Sequence, residues 1–466
     1  MDTKERKNTF SRRRFLAGGA ATGGFLLLAA CGGAGTGEAM PKEEMKEAEA
    51  PKEEAKQPEM EKITLVFRDW RAVGDTPTTW DQWFIWASDT FREMNPQVEN
   101  IEYTRVPFGE NVAKLTTEAA ARVVPDVMHS SIIWARDLWD NGLLTDLSAH
   151  TATAPDIAPD AFMPSANPYR IAQGKVFGIS FWGPDSYVMV INQDHFIEAG
   201  LDPQGADLAT WDGLTAASEK LAKKNAAGKL ERLGFTYHIP GLPEFAAWTY
   251  ANGGDMHNEE LTEAVFDSAK ALEVADHRAK QHVKYRDVID DFPSGREILA
   301  QGRGSGIHWG TWAAYYIRDE FQEGFKFWFV PPPQGPSQDG DASGATWINM
   351  IVVPDGTAHA DMAFEMNRFI CGLEAQVQKL LMVNQVSPRL DFYNSAEWAS
   401  AVEDFPVIAV TPEVGAKGKN YPFYRRWTAS NPHFKIVQDA MSGESELDLR
   451  GALAESARLI TQELEA

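Results

Sequence analysis

The sequence predicts an α/β protein of two or more domains, in which mostly parallel sheets are covered by helices on both faces. Three observations carry this. Short apolar, β-rich runs alternate with amphipathic stretches along most of the chain, the pattern of parallel strands joined by helical crossovers. The chain has 466 residues, far more than one small core requires. It has only two cysteines, so its stability must come from a large core and not from disulfides.

The elements follow in order. Residues 63–67 are apolar and β-rich and lead into Arg68-Asp69-Trp70-Arg71. Residues 80–94 are helical until Asn95-Pro96 stops them. A strand at 101–106 and a helix at 109–123 come next. Pro125-Asp126-Val127-Met128 opens a strand that ends at His129-Ser130-Ser131, and a helix then runs to Asn141 with Gly142 at C′. Strands at 175–181 and 188–191 flank Trp182-Gly183-Pro184-Asp185. Asp194 is placed to cap a short helix, and Thr210 to cap another over 211–224. Residues 263–286 read as a long helix, 304–308 as a short strand before Trp309-Gly310-Thr311-Trp312, and 348–353 as a strand. A strongly amphipathic helix is expected over 358–382, and the C-terminal third is helical, ending with 447–464.

The N-terminus reads as an address. Arg12 and Arg13, followed by Phe15 and Leu16, have the pattern of a twin-arginine export signal. The apolar run at 25–30 is too short to span a bilayer, which takes roughly 20 apolar residues, and serves as a signal core. Leu28-Ala29-Ala30-Cys31 looks like a lipobox, with Cys31 as the lipidated residue. Residues 1–30 are therefore expected to be a signal peptide. Residues 31–61 are expected to be a disordered tether, rich in Pro, Lys, Glu and Ala. With Cys31 modified, Cys371 has no partner.

The net charge is −23. A chain so acidic argues against nucleic acid, which needs a basic face, and against broad docking on anionic lipid. The expectation is a monomer held at the membrane by its lipid alone, on the outer face of the cytoplasmic membrane.

The succession of segments carries a resemblance. It includes Lys114-Leu115 to Pro125-Asp126-Val127, Gly174-Lys175-Val176-Phe177-Gly178, Ile191-Asn192 to Gly200-Leu201-Asp202, Thr210-Trp211, Gly253-Gly254 and Gly310-Thr311-Trp312. In this order, behind a lipobox and tether, they resemble the maltose-binding-protein-like, type 1 extracellular solute-binding proteins of ABC importers. The resemblance covers about residues 62–394.

It implies a two-lobe periplasmic-binding-protein fold of type II, each lobe a mostly parallel sheet flanked by helices. The lobes are expected at 62–183 with 307–345 and at 184–306 with 346–466. A hinge of several crossings is placed near 182–185, 305–308 and 345–349. The ligand would bind between lobes, and closure would present both to ABC permease subunits. No cofactor, metal or catalytic residue is implied.

The chain has 15 Trp. Core packing is the plainer reading for any Trp, and it is the one given to Trp80, Trp83, Trp86 and Trp211. Trp70, Trp134, Trp182, Trp248, Trp309, Trp312 and Trp347 sit at strand ends or loops that the resemblance places at the cleft, and about half of them are expected to touch ligand. A sugar ring offers an apolar face to an aromatic ring and a polar edge to charged or amide groups. The polar candidates are Arg71, Asp185, Ser130, Asn349 and Arg389, with Asp126, which equally caps the start of a strand. Trp182 and Asp185 are favoured by their place at an expected crossing.

Enzyme motifs are missing: there is no GxSxG elbow, HExxH or Walker A loop. His277 and His282 are five apart on a helix, a poor metal edge, and are read as solvated. Asp339-Gly340-Asp341 begins like a calcium loop, but Met350 stands where the closing Glu belongs. Asp290 and Asp291 are adjacent and point apart. The expected ligand is a sugar or oligosaccharide. The alternatives are another solute, such as a polyamine, glycerol phosphate or peptide, a secreted carbohydrate-active enzyme, or a surface sensor.

Overall fold

Alternation at the start of the folded chain sets the first strand. β1 (Ile63–Asp69) buries Leu65 and Phe67 in a computed structural model that describes residues 61–71, 78–236, 238–289, 291–293, 295–340 and 344–465. The expected signal peptide, Cys31 and nearly all of the tether lie outside the described residues, as do Asp290 and residues 341–343.

α1 (Thr79–Met94) forms because apolar side chains recur at helical spacing. Trp80, Trp83, Phe84, Ala87 and Phe91 are all buried. Thr78 and Asp81 cap its start reciprocally. Burying each large side chain contributes roughly 1.5–3 kcal/mol, so this face fixes α1 on the sheet. β2 (Val98–Arg105), α2 (Asn111–Ala121), β3 (Val127–Ser130) and α3 (Ile132–Asp140) complete the first part. Both β2 and β3 pair with β1 in parallel.

The chain then enters β4 (Ile179–Asn192), one strand where the sequence suggests two. Its second half is covered on both faces: Val188 and Val190 join one apolar layer, Met189 and Ile191 the other. A short helix follows, capped by Asn192 and not by Asp194. α4 (Trp211–Leu221) is capped by Thr210, as expected. β5 (Leu230–Phe235), α5 (Leu242–Ala251), α6 (Ala269–Ile289), β6 (Gly304–Gly310), α7 (Ala313–Glu320), β7 (Phe327–Val330) and β8 (Ala345–Val352) follow. The amphipathic run at 358–382 is two helices, α8 (Ala360–Cys371) and α9 (Leu373–Val383), separated by an extended Gly372. α10 (Leu449–Glu465) closes the chain.

The main sheet runs β2-β1-β3-β8-β4-β6-β5. The pairs β1–β2, β1–β3 and β5–β6 are parallel, whereas β8 pairs antiparallel with β3 and β4, and β4 with β6 and β7. Four apolar cores pack on this sheet among the described residues, and the two largest mark two lobes. One gathers Leu65, Phe67, Trp83, Phe91, Phe364 and Ile370. The other gathers Trp211, Phe245, Trp248, Phe266, Phe434 and Ile460. β4 and β8 run from one lobe to the other.

The lobe boundaries expected from sequence need two corrections. The strands within residues 307–345 do not join the first lobe, because β6 and β7 both pair with the second half of β4, although Tyr315 of α7 packs in the first core. Residues 346–466 do not all join the second, because Phe364, Ile370, Ala375 and Val383 of α8 and α9 pack in the first core. Residues 305–308 are laddered to β4 inside the second lobe and are not a crossing.

At the crossing, β4 and β8 approach closely. Gly183 has φ +116°, and a Cβ there would lie 2.9 Å from the Asp185 nitrogen and 2.9 Å from the Trp347 carbonyl oxygen. The β4–β8 register shifts between Trp347 and Asn349. That irregularity lets Pro184, which has no N–H to donate, sit inside a long strand.

Candidate functional site

Strand ends deliver the site. Trp70 and Arg71 follow β1 directly, Asp185 and Tyr187 lie on β4, Trp347 and Asn349 lie on β8, and Trp312 precedes α7. All seven line one cavity of about 430 Å³. Its walls come from elements of both lobes.

One wall is aromatic throughout. Trp312 meets Tyr187 at 5.4 Å and Trp347 at 5.1 Å between ring centroids. Trp347 meets Tyr421 at 5.2 Å, and Tyr421 meets Trp427 at 5.2 Å. Trp312 owes its position to Gly310: a Cβ on that residue would fall 1.7 Å from the indole ring. Across the cavity, Trp70 packs edge-on against Phe108 at 5.4 Å and Trp134 at 5.6 Å.

The polar groups are few. Arg71 lies over the rings of Trp182 at 4.1 Å and Trp80 at 4.8 Å, so aromatic faces fix its guanidinium. Asn349 Oδ1 accepts from the Ile132 N–H at 3.4 Å, tying β8 to the start of α3. Behind Trp70, His129 is wholly buried. Burial pushes its imidazole down to about 4, so it is neutral at neutral pH. Its Nδ1 lies 3.0 Å from Asp69 Oδ2; a carboxylate only accepts, so Nδ1 carries the proton. The His129 ring stacks on Trp70 at 4.0 Å and supports it.

Asp185 is 2% exposed. Burial pushes its carboxyl up to about 7, against the pull of Arg71. Thr311 and Gln385 donate to it only at 3.4 and 3.5 Å. Burial also pushes the ammonium of Lys379 down to about 7. Its Nζ donates to the Phe181 carbonyl at 2.5 Å, beneath the crossing.

The raised carboxyl has a consequence for stability. Between its ordinary value of 3.8 and about 7, folded Asp185 keeps a proton that the unfolded chain has released. Its contribution is therefore present at low pH and lost as pH rises to about 7, at up to about 1.4 kcal/mol per pH unit. Denaturant midpoints from pH 4 to 8 should show wild type losing stability relative to Asp185→Asn across that window. A constant difference would contradict the reading.

The other sequence candidates divide. Trp182 is fully buried beneath Arg71. Ser130 is fully buried, and its Oγ donates to the Ser131 carbonyl at 3.4 Å. Trp134 is 4% exposed and backs the wall. Trp309 lines a neighbouring cavity of about 340 Å³ with Glu244, Arg278 and His308, and Trp248 is buried behind it with Nε1 3.3 Å from His308 Nδ1.

Arg389 is a correction. It binds Asp391 through two nitrogens at 2.7 and 2.8 Å and donates to the carbonyls of Asp156 and Cys371. It holds chain segments together and does not line the cavity. Asp126 accepts from the Val66 N–H at 2.7 Å and joins strands. His277 is not simply solvated, since it stacks on Trp211 at 4.4 Å.

The cavity-lining residues that sequence reasoning missed include four tyrosines, Tyr187, Tyr315, Tyr316 and Tyr421. Tyr187 was within reach: it lies two positions after Asp185 on the same strand, hence on the same face. Tyr315 and Tyr316 follow Trp312 by about one helical turn. Tyr421 and Trp427 carry no local signal, because only the tertiary fold brings them here. Among the described residues, no group of three His, Cys, Asp or Glu is placed to hold a metal. No described helix is long and apolar enough to cross a membrane.

Residues 86–406 match the family described as bacterial extracellular solute-binding protein. No curated protein sequence matches the chain. The fold is shared with solved structures of low identity. An ABC substrate-binding protein from Listeria monocytogenes, in complex with cycloalternan, is 18% identical with a TM-score of 0.69, covering 86% of this chain and 99% of that one. The GacH receptor of Streptomyces glaucescens, solved unliganded and with acarbose, is 18% identical with a TM-score of 0.68, covering 86% and 98%. Maltose-bound MalE3 of T. maritima is 18% identical with a TM-score of 0.69, covering 86% and 99%.

Proposed function

The chain belongs to the bacterial extracellular solute-binding protein family, and from that premise we propose that it captures a sugar or oligosaccharide between its lobes for an ABC importer. The observation that carries this is the cavity at the β4–β8 crossing. It has aromatic rings on both sides and a short polar edge of Arg71, Asp185 and Asn349. Aromatic faces suit the C–H face of a sugar, and the polar edge suits its hydroxyls. The sugars in the similar structures support the same reading.

In this account the lobes rotate about β4 and β8 and shut on the solute. The closed state is favoured because only there do Trp70 and Trp312 touch the solute together. Permease subunits would then receive it. Export by the twin-arginine route and lipid attachment at Cys31 complete the proposal and agree with a family of extracellular proteins.

A glycosidase reading needs two carboxylates across the site at roughly 5 to 9.5 Å. Asp185 is the one carboxylate among the residues lining this cavity, which favours binding without chemistry. Titration calorimetry against a panel of neutral and acidic mono- and disaccharides should give saturable heat with at least one of them. Silence across the panel, with heat from a polyamine or peptide, would remove the sugar from the proposal.

A further inference from the structure

We propose that the solute is an acidic sugar, a saccharide bearing a carboxylate such as a uronic acid, and that Arg71 is the residue that selects it. This rests on the sugar-binding reading and narrows it.

The first observation is a guanidinium that forms no ion pair among the described residues, although the charges of Asp69 and Asp185 act on it. Arg71 is immobilised on the faces of Trp182, Trp80, Trp70 and Tyr315, at 4.1 to 5.3 Å. Its Nε and Nη1 are buried and have no hydrogen-bond partner. Asp69 accepts from the Arg71 backbone N–H at 3.0 Å and from no guanidinium nitrogen of Arg71. Three other buried arginines are paired, Arg68 with Glu118 at 2.6 Å, Arg278 with Glu244 at 3.3 Å and Arg389 with Asp391 at 2.7 Å, whereas Arg170, which faces no ligand cavity, donates only to the Pro159 carbonyl and Asn167 at 3.0 Å. A largely desolvated cation that no carboxylate among the described residues pairs is costly unless a ligand supplies the partner.

The carboxylates on its other side are otherwise engaged. A small cavity on the far side of Arg71 is lined by Asp81, Asp319 and Glu320. Asp81 caps α1, Asp319 accepts from Thr79 at 3.0 Å, and Glu320 pairs with Arg296 at 2.7 Å. Asp185 shares the main cavity with Arg71 but makes no ion pair with it among the described residues. Burial raises its carboxyl to about 7, so a protonated form is present near neutral pH that can donate a hydrogen bond to an anion.

The second observation is the start of α3. Ser131, Ile132 and Ile133 line the same cavity as Arg71. The positive end of this nine-residue helix therefore adds to the field that favours an anion. A neutral sugar would use the donors of Arg71 but give its charge no ion-pair partner.

The test is calorimetry on matched pairs: D-glucuronate with D-glucose, D-galacturonate with D-galactose, D-mannuronate with D-mannose, and the disaccharide of each. Acetate and inorganic phosphate serve as plain anions. The expected result is that the acid of at least one pair binds about 10- to 100-fold tighter than its neutral partner. That advantage should shrink as NaCl rises, be lost in Arg71→Gln and survive in part in Arg71→Lys. The salt series on wild type decides the matter even if Arg71→Gln does not fold. A neutral sugar binding as tightly as its acid overturns the inference and leaves the sugar reading standing. An acid preference that survives Arg71→Gln overturns the assignment to Arg71. Silence from every saccharide removes both readings.

Discussion

Trp312→Ala should abolish the rise in melting temperature that a bound sugar causes, while the unliganded protein melts close to wild type. Trp312 is half-buried at the centre of the aromatic wall, between Tyr187 and Trp347. Gly310 leaves the space that the indole ring occupies. Removing a central aromatic anchor costs about 2–4 kcal/mol of binding, or roughly 30- to 1000-fold in Kd. A ligand at 100 times its Kd stabilises by about 2.7 kcal/mol, so a loss of that size removes nearly all of the shift. Trp309→Ala should do less, since Trp309 lines the neighbouring cavity. Differential scanning calorimetry with and without saturating sugar checks both. A full shift retained by Trp312→Ala would take that residue out of the site.

Gly183→Ala should be strongly destabilising. The position has φ +116°, which L side chains rarely adopt, and the new Cβ would press on backbone atoms of both crossing strands. Neither strand can yield cheaply: β8 is held by β3 on its other edge, and β4 by β6 and β7. Strain at such a position, with the shift needed to relieve it, amounts to about 2–4 kcal/mol. Urea denaturation should show a loss of this size, with weaker solute binding because Asp185 and Trp347 are the residues displaced. An unchanged midpoint would mean that the crossing is looser than its geometry implies.

Much of the architecture was legible because local signals agreed with the global fold. The spacing of Trp80, Trp83, Phe84 and Phe91 marks α1, and Thr210 before Trp211 marks the start of α4. β4 was not legible as one strand. Gly183-Pro184 reads as a break, and only the register shift in β8 lets the strand continue through it. Gly372 likewise interrupts a helical period that apolar spacing alone carries straight through. The lobe boundaries failed for a related reason: chain order does not say which half of β4 a later strand will join.

Within the site, Trp70, Arg71, Asp185, Trp312, Trp347 and Asn349 could be found because strand ends and the residues beside them meet at such a cavity. Tyr421 and Trp427 could not, since they arrive from a distant loop. Arg389 was misplaced because an arginine beside a helix end reads the same whether it faces a ligand or closes on Asp391.

Small-angle X-ray scattering on the protein alone and saturated with the sugar found by calorimetry addresses the central claim directly. Two lobes joined through β4 and β8 should close on the solute, so the radius of gyration should fall and the scattering profile should change shape. Superimposable profiles, with binding confirmed in the same samples, would contradict capture by closure.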